Sequence, residues 1–459
     1  MSGKLKICGE IRDPIHGLIP VTDIEFKVMD TSSFQRLRRI KQLALADLGF
    51  HGAMHNRFGH SVGVMHIASK MIEHLENAGE VKLKGTEMQD IRLAGLLHDI
   101  GHGPFSHISE YLLKYMSPQS EKKGNIEEIH EAISHRIIAE DRTIKDVLGE
   151  ARTMRIISIL STDQPSPDFK HDLVSGPLDA DKMDYLLRDS YFTGVKYGVF
   201  DLDRLINVLT MTDENRMKRL AAKREGVQAV EQYVLAKYFI AHQVYQHRIR
   251  HITDKMIIEG VSASITDGNE DLKKVYSYSK KKAYVTEYLK WDDELVCQSV
   301  LSNSKRGSKG YKYFSMLRDR QLLKEISNIR VNELDGGESL QAIEKIEEIR
   351  KSNYDDLVST IEQEFSLLPG FTHVLAYSLK VPLIQKSFGI VDEQSIRIKC
   401  SEKTTTLLEN ESPLYGGIVD DAKNHFIQII GIPKIKLKSR ESREKLSKKI
   451  LTKYFEGNL

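Results

Sequence analysis

A mainly α-helical core followed by a smaller C-terminal α+β lobe is the fold class this sequence predicts, and three observations predict it. From Phe34 to about Thr266, apolar residues recur at three- and four-residue spacing between Gly, Pro and polar clusters. That is the mark of successive amphipathic helices. Regular periodicity stops around Asn332 to Glu338, where Gly336 and Gly337 stand together. Segments of strand character follow. The 459 residues are divided into a core over 1–335 and a lobe over 336–459.

In chain order, the spacing predicts helices over Ser33 to Ala46, His60 to Asn77, Gln89 to Asp99, Pro104 to Tyr115, Glu127 to Glu140 and Leu178 to Tyr191. A long helix is expected from about Val227 to Val261. Two prolines make Ser161 to Asp168 a loop. In the lobe a charged helix is expected from Ser339 to Phe365, halted by Pro369-Gly370. Strands are expected over His373 to Leu379, Ser395 to Cys400 and Phe426 to Ile430, with a closing helix from Ser442 to Phe455. No internal repeat or low-complexity tract interrupts this order.

Charge narrows the function. Lys and Arg number 67 against 65 Asp and Glu, a net charge of +2, so nucleic-acid binding is possible but not implied. Cys8, Cys297 and Cys400 are too few and too scattered for a disulfide framework or a thiolate zinc site. The start lacks a signal-peptide pattern, and no long uncharged apolar run suggests a membrane span. A cytoplasmic protein is expected. Its 17 histidines carry the chemistry.

An apolar helix ends in His98-Asp99, and Gly101-His102-Gly103-Pro104 halts it before a further helix begins at Pro104. Adjacent helical residues point about 100° apart, so this pair needs further ligands to close a metal shell. His60 and Asp181 are the candidates. Two imidazoles and two carboxylates suit Mn²⁺, Fe²⁺, Co²⁺ or Mg²⁺ better than structural zinc. A second His-Asp pair, His171-Asp172, follows a loop without a glycine turn and is expected on the surface. Arg188 and Asp184, four apart, are expected to form an intrahelical ion pair.

Five blocks occur in order: Asp13-Pro-Ile-His-Gly17; Phe34-Gln-Arg-Leu-Arg38 with Lys41-Gln-Leu43; His55-Asn-Arg-Phe58 with Gly59-His-Ser61; His98-Asp99 with Gly101-His-Gly-Pro-Phe-Ser-His107; and Asp179-Ala-Asp-Lys-Met-Asp-Tyr185 with Arg188-Asp189. Over about residues 11–265 the chain resembles the HD-domain phosphohydrolases, in particular their deoxynucleoside triphosphate triphosphohydrolase branch, without an N-terminal SAM domain. The resemblance implies an HD-domain helical core in which His60, His98, Asp99 and Asp181 bind a divalent metal.

It also implies roles for other residues. Arg57 matches an arginine that meets the phosphate, and His102, in the turn, could contact the α-phosphate. His107, Glu110 and His130 match a proton relay in which His107 is the acid; a carboxylate beside an imidazole fixes its tautomer and suits it to donate a proton. Lys182 and Tyr185 match residues near phosphates, and Asp189 matches one on the sugar 3′-hydroxyl. Tyr245 matches a tyrosine beneath the sugar that disfavours a 2′-hydroxyl, with Gln42 and Leu43 as its partners. Lys237 replaces an arginine of the human-type pattern, a point charge in place of a bidentate fork. Spacing puts Lys237, Ala241, Tyr245 and Arg248 on one stripe of the long helix.

Asp30, Gln35 and Arg38 match positions that read a nucleotide activator between subunits, and Arg248 is grouped with them. The alternatives are an activator pocket, retained or altered, and a basic helix that orders the active-site floor. The resemblance implies a homo-oligomer, dimer or tetramer. Lys434 to Lys453 carries nine basic and two acidic residues, read as a solvated helix face. The leading function is metal-dependent hydrolysis of dNTPs to deoxynucleoside and triphosphate. The competing readings are an HD phosphohydrolase of other nucleotides, or a catalytically silent nucleotide- or nucleic-acid-binding protein.

Overall fold

A computed structural model of the chain describes residues 5–117, 129–161, 168–214, 217–331, 354–378, 395–402, 404–415, 418 and 425–456. The chain is mainly helical, with three small sheets among the described residues. It opens with a hairpin of β1 (Ile7–Asp13) and β2 (Gly17–Thr22), whose last paired residues are Asp13 and Gly17. Gly17 has φ +75°, a conformation that favours glycine.

The helices that frame the site are α1 (Arg57–Asn77), α2 (Gly85–Leu97), α3 (His107–Met116), α4 (Ile129–Glu140) and α5 (Ala180–Thr193). Helix α1 is buried on nearly all sides and packs against both α2 and α5. Asn56 caps it, accepting a hydrogen bond from the Gly59 amide at 3.2 Å. Asp179 caps α5 in the same way through the Lys182 amide at 2.7 Å. Gly194, left-handed at φ +77°, ends α5.

A second hairpin, β3 (Leu209–Glu214) and β4 (Met217–Lys223), precedes α6 (Val227–Ile240), α7 (Arg248–Thr266) and α8 (Lys309–Arg318). The lobe holds β5 (Lys324–Arg330), α9 (Tyr354–Glu364), β6 (His373–Ser378), β7 (Arg397–Lys399), β8 (Thr405–Leu407), β9 (His425–Gly431) and α10 (Arg440–Glu456). Strands β5, β9 and β6 form an antiparallel sheet in that order. Ile329, Val374, Ile427 and Ile429 of this sheet share a small core with Leu357, Ile361 and Leu451 of the two helices. Strand β7 joins β4 in parallel, so lobe residues also extend the core's hairpin sheet. Residue 335 itself lies outside the described residues, but β5, placed in the core by that boundary, belongs to the lobe's sheet. Most of the 161–168 loop and the start of the helix expected from Ser339 also lie outside the described residues.

Several expectations are corrected. Ser33 to Ala46 is not one helix: a short turn at Ser32–Gln35 and a 3₁₀ turn at Arg36–Arg39 give way to extended Ile40, and Ala44 takes φ +47°. The chain leaves the helix because Lys41 bridges to Asn56 and its amide is held by Asp293 Oδ2 at 3.0 Å. The helix after the glycine turn starts at His107, since Phe105 and Ser106 both have positive φ. The helix expected over Val227 to Val261 breaks: Ala241–Tyr245 is a π turn, and His247 is extended. Lys237 and Arg248 therefore do not share one continuous helix stripe. Both hairpins went unforeseen. Among the described residues, no helix is long and apolar enough to cross a membrane.

Candidate metal centre and active site

His60 and Asp181 stand on α1 and α5, and His98-Asp99 lie just past the end of α2. Packing α1 between the other two helices brings the four together from far apart in the chain. His60 Nε2 is 3.0 Å from Asp181 Oδ1 and 3.6 Å from Asp99 Oδ2. His98 Nε2 is 3.3 Å from Asp99 Oδ1 and 3.6 Å from Asp181 Oδ1.

These residues fit a cation. Both imidazole Nε2 atoms are buried without a hydrogen-bond partner, and buried polar atoms left so are costly. Ligand atoms about 2.1 Å from a metal stand about 3 Å apart, close to the spacing found. His60, His98 and Asp181 offer ligand atoms mutually within 4.8 Å. Asp99 stands at the edge of this group, with Oδ2 also hydrogen-bonded by Arg57 Nη1. Burial works against a charged His60, yet the neighbouring carboxylates of Asp181, Asp184 and Asp99 raise it to about 10. His98 is raised despite its burial by Asp99 and Asp181. The carboxylates thus draw positive charge into the cleft, a demand that a divalent ion would meet.

The tautomer of His60 is set behind it. Its Nδ1 donates to Asp184 Oδ2 at 2.8 Å, leaving Nε2 for the cleft, and His98 Nδ1 likewise donates to Gly95 O at 2.8 Å. The expected Asp184–Arg188 ion pair is present, with Arg188 Nε 2.8 Å from Asp184 Oδ2. Its link to His60 went unforeseen, although Asp184 lies one helical turn from Asp181.

Glu110 Oε1 gathers three imidazoles: His107 Nδ1 at 2.8 Å, His130 Nδ1 at 3.2 Å and His102 Nδ1 at 3.6 Å. His102 and His130 stack with ring centroids 4.2 Å apart. Burial opposes ionisation of Glu110, but His107 and His130 hold its carboxyl well below the ordinary range. Burial and the Arg57 charge push His102 down, so it stays neutral. Its Nε2 is 3.3 Å from Asp99 Oδ1, which ties this group to the metal candidates. His107 is largely exposed. Arg57 is buried, and its Nε donates to Ser106 Oγ at 3.0 Å.

Along α5, Asp181, Tyr185 and Asp189 succeed one another at four-residue steps. Asp189 Oδ2 accepts from the Tyr245 hydroxyl at 2.6 Å, and its Oδ1 lies 2.7 Å from His55 Nε2. The π turn that breaks the long helix carries Tyr245 to this position, about 6.3 Å from the Tyr185 ring. Gln42 and Leu43 are buried, and Gln42 Oε1 has no partner. Lys182 Nζ is taken up by Asp179 Oδ2 at 2.6 Å and Gly176 O at 3.1 Å. Lys237 is 4% exposed with its Nζ unpartnered. Burial and the nearby Lys182 charge push its ammonium well down.

The other candidates lie on the surface. Asp30, Arg38 and Arg248 are exposed. Gln35 Nε2 donates to Met29 O at 2.7 Å, and its Oε1 accepts from Arg38 Nε at 2.8 Å. His171-Asp172, expected on the surface, is instead buried. Asp172 receives Arg219 at 2.8 and 2.9 Å and the Leu220 amide at 2.9 Å, which binds its helix to β4. His16, Asp13 and His55 stand in blocks that carry the resemblance but receive no role from the sequence; their partners lie over a hundred residues away.

The HD domain model matches residues 57–183 and the HD-associated region model matches 200–358. The chain carries an HD domain followed by its associated region. It is 31% identical over 305 residues to the uncharacterized protein YwfO of Bacillus subtilis, covering 64% of this chain and 66% of that protein. It is 26% identical over 417 residues to deoxynucleoside triphosphate triphosphohydrolase SAMHD1 of Gallus gallus, covering 84% of this chain and 65% of that protein. The HD chain therefore spans about two thirds or less of these relatives' length. The crystal structure of a phosphohydrolase from Bacteroides thetaiotaomicron superposes with a TM-score of 0.70 at 23% identity, over 92% of this chain and 99% of that one. That likeness speaks for the fold alone.

Proposed function

We propose that this HD-domain protein is a metal-dependent hydrolase of deoxynucleoside triphosphates, releasing deoxynucleoside and inorganic triphosphate. One arrangement carries this reading. At the Asp181 end of the α5 face, the buried ammonium of Lys237 has no partner. Two turns along, about 12 Å by helix rise, the Asp189–Tyr245 pair offers a carboxylate and a phenol. The first suits a phosphate chain and the second a sugar hydroxyl. Likeness to proteins named deoxynucleoside triphosphate triphosphohydrolases supports the same substrate.

His60, His98, Asp99 and Asp181 would hold the cation, Mn²⁺, Mg²⁺, Fe²⁺ or Co²⁺. Once bound, such an ion supplies Lewis acidity and a more acidic water. An attacking water oxygen bonds to the α-phosphorus and gives up a proton to solvent as the bond from phosphorus to the 5′ oxygen breaks, and His107 gives the 5′ oxygen its proton. Glu110 accepts from His107 and links it to His130, while Arg57 and His102 face the α-phosphate. Lys182 and Lys237 offset charge on the remaining phosphates, to which the Tyr185 phenol donates a hydrogen bond. Asp189 receives the 3′-hydroxyl, and Tyr245, with Gln42 and Leu43, closes the sugar pocket against a 2′-hydroxyl.

The protein acts in the cytoplasm as a homo-oligomer, dimer or tetramer. A nucleotide activator binds around Asp30, Gln35, Arg38 and Arg248, so added GTP is expected to change the rate on other dNTPs. Incubating the protein with dGTP and Mn²⁺, Mg²⁺ or Co²⁺ and separating the products tests the reaction. Inorganic triphosphate with deoxyguanosine is expected; phosphate or pyrophosphate alone contradicts it.

A further inference from the structure

Strands β1 and β2 precede the helical core, yet the turn between them reaches the back of the candidate metal centre. His16, in that turn, has a side chain only 4% exposed, and its Nε2 lies 2.6 Å from Asp184 Oδ1. The other oxygen of the same carboxylate accepts from His60 Nδ1 at 2.8 Å. Arg188 grips both, with Nε 2.8 Å from Oδ2 and Nη2 3.0 Å from Oδ1. Asp184 is therefore a buried bridge between two imidazoles, one of them the candidate ligand.

Asp13 locks the turn to this bridge. Its Oδ1 accepts from the amides of Ile15 and His16 at 2.8 and 3.0 Å, which shapes the turn that presents the imidazole. Its Oδ2 accepts from Arg188 Nη1 at 3.0 Å. Helix α1 leaves room for the carboxylate at Gly63, where a Cβ would lie 1.9 Å from Asp184 Oδ1 and 2.6 Å from Arg188 Nη2. An N-terminal turn, a helix notch and an ion pair thus converge on one carboxylate.

A His60 that ligates through Nε2 must carry its ring proton on Nδ1 and aim that proton at a fixed acceptor. Arg188 holds that carboxylate only from one turn along its own helix; His16 anchors Oδ1 to the hairpin as well, from outside α5. We infer that His16 is a positioning residue for metal binding, which, through Asp184, holds the His60 ring with Nε2 aimed at the cation, so that the N-terminal hairpin sets the affinity of the centre. The inference rests on His60 being a ligand, as proposed above.

Loss of an outer partner of this kind weakens metal binding by about 10- to 100-fold. The test is calorimetric titration of Mn²⁺ into the full-length wild type and the variants His16→Gln and His16→Asn, each first melted without metal to establish folding. Gln carries a donor at about the reach of Nε2, whereas Asn falls short. Binding weakened about 10-fold or more in His16→Asn and largely kept in His16→Gln is expected. His16→Ser, which also lacks the reach, repeats the comparison should the Asn variant not fold. Wild-type affinity in the short variants, or equal losses in Gln and Asn, would overturn the inference while leaving the hydrolase reading intact. A wild-type protein that takes up no Mn²⁺ would overturn both.

Discussion

Tyr245 donates its hydroxyl hydrogen to Asp189 Oδ2 across 2.6 Å, joining the π turn after α6 to the last turns of α5. A phenol so tied cannot swing aside for a bulkier sugar. Replacing Tyr245 by Ala is expected to lower kcat/KM for dGTP by about 10-fold and to raise the relative rate on GTP, since the space that excludes a 2′-hydroxyl opens. Competition between dGTP and GTP measures the ratio, and an unchanged preference would remove Tyr245 from sugar selection.

Glu110 Oε1 accepts from His107 Nδ1 at 2.8 Å and stands 3.2 Å from His130 Nδ1. Converting it to Gln removes the charge that organises those rings. General acid catalysis contributes about 10²- to 10⁴-fold, so Glu110→Gln and His107→Ala are expected to lower kcat for dGTP within that range. A p-nitrophenyl phosphodiester, whose leaving group needs no acid, should be hydrolysed at near wild-type rate by both variants. Equal losses on both substrates would point to a folding or metal defect instead.

Lys237 buries an amino group without a hydrogen-bond partner, at a cost to stability of about 1–3 kcal/mol, more when it is charged. Lys237→Met should therefore raise the melting temperature of the ligand-free protein while raising KM for dGTP by about 10-fold or more, equivalent to ~1.4 kcal/mol. Thermal melts and initial rates check the two arms. A variant that melts lower and binds dGTP normally would show that the ammonium is structural.

His373 on β6 meets the Tyr313 hydroxyl on α8 at 2.7 Å. Burial, with Lys255 nearby, pushes its imidazole down to about 3. Because the folded state holds this group neutral while the unfolded chain protonates near 6.5, its contribution is fully present above about pH 6.5 and is lost as pH falls toward 3. Between pH 7 and 5 the loss amounts to about 2 kcal/mol. Denaturant unfolding at the two pH values should show it in the wild type and not in His373→Gln. Identical pH dependence in both chains would refute the assignment.

Much of this architecture could be read from residue spacing, and the failures have physical causes. Helices α1, α2 and α5 are legible as long apolar stretches bounded by capping and turn residues, although α1 and α2 are buried nearly all round rather than on one face. The break at Ala241–Tyr245 leaves no such trace: a π turn keeps helical spacing in the sequence while inserting an extra residue into the ladder. Ser33 to Ala46 reads as a helix because its apolar residues recur at helical spacing; all but the partly buried Leu45 are buried, but by different neighbours, as the chain turns to follow Asn56 and Asp293.

The His98-Asp99 pair announces itself through the glycine turn beside it. His171-Asp172 shows the opposite limit, since nothing local indicates that Arg219, 47 residues on, will bury the carboxylate. His16 and Asp184, 168 residues apart, are equally illegible from spacing: their relation is made by the packing of a hairpin against two helices. What a single sequence transmits well is which residues share a face, and what it transmits poorly is which faces meet.

The most direct measurement is diffraction from Mn²⁺-soaked crystals at the manganese absorption edge. A single strong anomalous peak within bonding distance of His60 Nε2, His98 Nε2 and Asp181 Oδ1 is predicted. A well-occupied Mn²⁺ elsewhere, with that cleft empty, would contradict the account.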